Sequence, residues 1–239
     1  MRFTSERRLD DHVLEREFTL GDIPGLLWTP GSVSAPTPLI LLGHPGGLPR
    51  MYSRLLARAR HSVAEGFAAA TIELPGGGGR PRFAAVEEAR ADLHRALAAG
   101  EPVDDEIVDR LVLPLVDEAV PEWRAALDAL LALPEIGGPV GYAGGVIAIG
   151  VRMAVVEPRI SAALLFAGSY VPRTLFEEAR QVTIPLQVLL QWNDRQVALE
   201  LFDAFGSEEK TLHANTGGHT GVPQFEGDAA NRFFARHLT

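Results

Sequence analysis

The chain has 239 residues, 46% of them hydrophobic and 22% charged, with no cysteine. That balance excludes a disordered or low-complexity chain, and the absence of thiols excludes a disulfide framework, a thiolate metal site and a cysteine nucleophile. Twenty-two basic against 31 acidic residues give a net charge of −9, and the basic residues are scattered, so nucleic acid is not an expected partner. The opening residues Met1 to Asp11 are charged, and no apolar run approaches the ~18 residues of a membrane span. The expectation is a cytoplasmic protein without membrane association.

In chain order, Val13–Leu20 and Ile23–Pro30 read as two strands turned at Gly21-Asp22. Pro38–Gly43 is a continuous apolar run of the kind buried on both faces of a sheet. Helix Arg50–Glu65, strand Phe67–Leu74, helix Pro121–Leu133, strand Gly138–Tyr142, helix Gly144–Val156, strands Ile160–Phe166 and Ile184–Gln191, helix Gln196–Phe205, strand Lys210–Ala214 and helix Phe225–Leu238 follow. Only Phe176–Arg180 fits between the strands at 160–166 and 184–191. Such alternation predicts a mostly parallel sheet with helices on both faces. The segment Arg80–Val120 exceeds a minimal α/β unit. It reads as two extra helices, Ala84–Ala99 and Val103–Val120, with Pro114 kinking the second. It is either packing on the sheet or a lid over a site.

Gly141-Tyr142-Ala143-Gly144-Gly145 sits between an apolar strand and a helix. It has the form of a nucleophile elbow, G-x-S-x-G, with alanine in place of serine. In such an elbow the central residue is held on a strained turn, so Ala143 marks the nucleophile position. Asn193-Asp194-Arg195 follows a later strand, and Asn215-Thr216-Gly217-Gly218-His219 follows the last one. Gly43-His44-Pro45-Gly46-Gly47 directly follows the buried strand. The run Pro75–Arg80 has four glycines but lacks the Lys-Ser or Lys-Thr of a phosphate loop. His12, His61, His94, His213 and His237 show no metal-ligand spacing, so neither metal nor cofactor is expected.

Across nearly its whole length the chain resembles the α/β-hydrolase superfamily, in particular compact esterases and dienelactone-hydrolase-like members. The resemblance implies a single domain, 1–239, built on an eight-stranded, mostly parallel sheet, with 80–120 as a helical insertion. It implies a serine, Asp194 and His219 as nucleophile, acid and base, and an oxyanion hole from the amides of Gly46 or Gly47 and Gly144. In that scheme His44 orients the loop. Leu48, Met51, Tyr52, Tyr142, Tyr170 and Trp192 are candidates for the pocket wall, and Arg50 and Arg80 for meeting a substrate carboxylate.

The implied activity is hydrolysis of a carboxylic ester or lactone with an apolar or aromatic group. A methyl group cannot attack a carbonyl, so the chain as it stands is expected to be nearly inactive. Either a serine-to-alanine exchange has been engineered at position 143, which the retained acid, base and glycines favour, or the chain is a natural non-catalytic ligand binder. Acyl transfer, cyclisation or elimination on the same fold is a further alternative.

Overall fold

The computed structural model describes residues 1–9, 12–32, 35–168, 170–192, 195–216 and 222–239. Among these, the strands are β1 (Arg2–Arg8), β2 (Val13–Leu20), β3 (Ile23–Pro30), β4 (Thr37–Gly43), β5 (Ala68–Ile72), β6 (Ile136–Gly144), β7 (Ile160–Phe166), β8 (Leu186–Gln191) and β9 (Lys210–Asn215). The helices are α1 (Leu48–Ala64), α2 (Ala84–Ala99), α3 (Asp105–Leu131), α4 (Ile147–Val156), α5 (Thr174–Ala179), α6 (Arg195–Ala204) and α7 (Phe225–His237).

The strands form one sheet in the order β1-β2-β3-β5-β4-β6-β7-β8-β9. The first three join antiparallel and β3 meets β5 antiparallel, whereas every pair from β5–β4 to β8–β9 is parallel. The nine strands correct the eight expected. The extra one, β1, is exposed along its whole length, so it carries no apolar alternation by which its sequence could announce a strand.

Successive side chains of a strand point to opposite faces, and the two faces have separate cores. Leu39, Leu41, Val140 and Tyr142 join the core beneath α3 and α4. Ile40, Leu42 and Ala143 join the one beneath α1 and α7. The 103–120 and 121–133 helices of the sequence reading are one 27-residue helix, α3, with Pro114 and Pro121 inside it. Each proline removes a backbone hydrogen bond at a cost of ~3 kcal/mol. Val112, Val116, Trp123, Leu127 and Leu130 are all buried along α3, and at ~1.5–3 kcal/mol each this apolar stripe outweighs both breaks. Helix α2 packs on α3. No helix among the described residues is long and apolar enough to cross a membrane.

At the antiparallel edge, buried Glu15 fastens β2 to its surroundings. It accepts from Trp28 Nε1 at 2.6 Å, Tyr52 Oη at 2.8 Å and Arg7 Nε at 2.7 Å. Three donors supply the partners that a buried carboxylate requires.

Candidate functional site

Strands β4 and β6 are neighbours in the middle of the sheet, and their C-terminal ends, Gly43 and Gly144, pair directly. Ligands of open parallel sheets bind at this edge. Here the ends open into a cavity of about 1010 Å³, bounded by the 43–51 segment, α1, α2, α3, the start of α4 and the ends of β7 and β8.

The turn from β6 into α4 is built from glycine. Gly144 has φ +72° and Gly145 φ +81°, and no non-glycine residue in the described structure has a positive φ. At Gly145 an added Cβ would lie 2.8 Å from Gly43 Cα and 2.9 Å from His44 N, closer than carbon atoms approach. Ala143 does not share this backbone geometry. The left-handed residues are the two that follow it, whereas Ala143 is an ordinary strand residue, 4% exposed, with its methyl in the α1/α7 core. It is not among the residues lining the cavity. Gly144 does line it.

Beside this turn stands a residue absent from the sequence reading. Arg58 of α1 donates from Nη1 to Gly43 O at 2.8 Å and from Nη2 to Ala143 O at 2.6 Å, clamping the ends of the two strands. It lines the cavity, and burial pulls its guanidinium down to about 10, so it remains charged at neutral pH. A Cβ on Gly144 would come within 3.0 Å of Nη2. The signal was available in the sequence, because Leu55, Ala59, Ser62 and Val63 mark the buried face of α1 and position 58 belongs to that face by helical spacing.

His44 is buried, with Nε2 2.9 Å from Ile72 O. Burial holds its pKa below the usual histidine value, so it is neutral and orders the loop. Gly47 caps α1, and Glu73 Oε2 accepts from Leu48 N at 2.8 Å. The amides of Gly46 and Gly47 donate to no backbone carbonyl among the described residues.

Of the expected wall residues, Met51 and Tyr170 line the cavity. The others do not. Tyr142 is buried under α3, edge-on to Trp123 with ring centroids 6.1 Å apart, because its position in β6 faces the α3/α4 core. Tyr52 is tied to Glu15, and Leu48 lies with it in a separate hollow beside β2 and β3. Trp192 is half exposed under the Arg195 guanidinium. Arg50 is exposed, Arg80 is paired with Glu122 of α3, and neither lines the cavity. Helices α2 and α3 contribute Val86, Glu87, Arg90, Leu111, Val112 and Leu115. Asp194, Gly217, Gly218 and His219 lie outside the described residues.

Comparison with known proteins places this geometry. No family model matches the sequence, and no curated protein matches it. Solved structures do. A PEG-bound cold-adapted esterase from an Arctic intertidal metagenomic library superposes with a TM-score of 0.79 at 27% identity over 100% of both chains. Its native form gives 0.74 at 26% identity, again over 100% of both chains. Dienelactone hydrolase from Anabaena variabilis matches with a TM-score of 0.64 at 18% identity, covering 94% of this chain and 99% of that one; at that identity the likeness is one of fold alone. The chain therefore has the α/β-hydrolase fold. At a general level its esterase neighbours support an ester hydrolase of that type.

Proposed function

We propose that this chain is an ester hydrolase in architecture, that its cavity receives carboxylic esters or lactones with an apolar or aromatic group, and that it holds them without forming an acyl-enzyme. The observation that carries this reading is the β6–α4 turn. The positive-φ positions of that turn are Gly144 and Gly145, both of which line the cavity, and neither has an atom with which to attack.

In this proposal the amides of Gly46 and Gly47 face a bound carbonyl oxygen, and Asp194 and His219 are the acid and base that the resemblance implies. Without a hydroxyl between base and substrate the imidazole has only water to deprotonate. Turnover then falls to the residual level that an oxyanion hole and binding alone provide. A lost serine at position 143 is the less favoured account, since residue 143 has ordinary strand backbone and the positive φ of the turn falls on Gly144 and Gly145.

The test is a panel of p-nitrophenyl acetate, butyrate and octanoate, with binding followed by competition against a fluorescent acyl probe. Saturable binding with hydrolysis close to the buffer rate is expected. Turnover of about 1 s⁻¹ or more, in the range of ordinary enzymes, that disappears in His219→Ala would overturn the proposal.

A further inference from the structure

We propose that the ligand of the cavity is a monocarboxylate carrying an apolar chain or ring, with its head group on Arg58 and its tail between the sheet and helices α2 and α3. The inference rests on the reading that the cavity is a ligand site, and it goes further by fixing the charge and polarity of what enters.

Three observations converge on it. The first is the state of Arg58. Of its five guanidinium N–H donors, the structure shows two in use, both on backbone carbonyls. No carboxylate pairs with it among the described residues. A charge partly withdrawn from water without a counter-ion is costly, and here the half-buried group forms part of the cavity wall. A planar fork of this kind suits the two oxygens of a carboxylate.

The second is the field around the cavity. Its charged lining residues are Arg54, Arg58, Arg82 and Arg90 against the single acid Glu87, and Glu87 already accepts from Arg90 at 2.5 Å and from Arg82 at 3.5 Å. A positive wall stands in a chain whose net charge is −9. It concentrates anions where the rest of the surface repels them.

The third is the remainder of the wall. Leu111, Leu115, Ile147, Leu164, Phe166 and Leu189 line the cavity, and its volume of about 1010 Å³ accommodates a medium-length chain or an aromatic ring system. A polyanion or a sugar would leave these side chains facing polar groups. A carboxylate at one end of an apolar body satisfies both ends of the site. An acid of this form is also what ester hydrolysis releases, so the pocket is matched to the product side of the reaction that its fold neighbours catalyse.

The experiment is calorimetric titration of the intact protein with octanoate and with octan-1-ol, two probes that share a chain and differ in the head group. The wild type should bind octanoate at least tenfold more tightly than octanol. In Arg58→Met the octanoate affinity should fall at least tenfold while octanol stays within twofold, and in Leu115→Trp, which fills the apolar wall, both should weaken. Equal affinity of the wild type for the two probes, or undiminished octanoate binding by a folded Arg58→Met, overturns the inference and leaves the ligand-site reading standing. Binding of neither probe overturns both. Should Arg58→Met not fold, the wild-type preference and Leu115→Trp decide the matter between them.

Discussion

Arg58 Nη2 donates to the carbonyl oxygen of Ala143 at 2.6 Å. The contact, with that of Nη1 to Gly43 O, places a cation of α1 at the C-terminal ends of β4 and β6. It also bears on what a serine at position 143 would meet. At position 143 the side chain enters the core with Leu42 and Leu164.

On the proposed function, with the positive-φ turn at Gly144 and Gly145 rather than at residue 143, Ala143→Ser should leave hydrolysis of p-nitrophenyl butyrate within threefold of the starting protein, and it should lower stability by about 1–3 kcal/mol, the cost of burying a hydroxyl without a dedicated partner. Parallel ester assays and urea melts check both. A rise in kcat/KM of a hundredfold or more would return Ala143 to the nucleophile position.

The turn itself makes a sharper structural test. Gly145→Ala places a methyl 2.8 Å from Gly43 Cα on a residue with φ +81°. Left-handed backbone costs ~1–2 kcal/mol in a non-glycine residue, and the collision with backbone adds to it. A loss of about 2–4 kcal/mol in urea denaturation is expected. Gly79, around which nothing lies within 4 Å of an added Cβ, is the control, and Gly79→Ala should change stability by less than about 0.5 kcal/mol.

The same turn shows where sequence reading stops. Strands Val13–Leu20, Ile23–Pro30 and Ile160–Phe166 and helix Ala84–Ala99 have in the structure the bounds that periodicity and turn residues predict. In each of them a local pattern and a tertiary environment agree. Strand β1 escaped because an edge strand exposed on both faces has no pattern to show. At Pro121 the local rule that proline ends a helix gives way to a long buried stripe. In the site, the sequence displays two adjacent glycines but not their φ values, which only the fold sets. Helical spacing puts Arg58 on the buried face of α1, but the carbonyls that hold it come from strands 15 and 85 residues away in sequence, which no local pattern displays.

Glu15 separates the worth of a buried acid from that of its exposed partner. Its side chain is 1% exposed while that of Arg7 is 55% exposed. Glu15→Ala removes the acceptor shared by Trp28, Tyr52 and Arg7, which should cost about 3–5 kcal/mol. Arg7→Ala should cost less than about 1 kcal/mol. Guanidinium denaturation curves of the two variants provide the comparison. Equal losses would mean that Glu15 is held chiefly by Arg7.

Glu157 gives the protein a defined sensitivity to acid. At the end of α4 its side chain is 1% exposed, and it accepts from Arg159 Nε at 2.6 Å and Nη2 at 2.7 Å and from Arg124 Nε at 3.3 Å. Hydrogen bonding to the Arg159 guanidinium, opposed by burial, holds its carboxyl down to about 2, against an ordinary 4.5. Because the folded pKa lies below the unfolded one, the unfolded chain takes up the proton first as pH falls. The stabilisation is therefore complete above pH ~4.5 and is lost progressively between there and pH ~2. Its size is on the order of 3 kcal/mol. Glu157→Gln should be less stable than the parent by about that amount at pH 7. The gap should narrow at pH 4 and nearly close at pH 2.5, where the parent carboxyl is itself becoming neutral. Urea melts of both proteins at pH 7, 5, 4, 3 and 2.5 measure it, and a gap that stays constant across the series would show that the carboxylate charge at this junction contributes nothing to the fold.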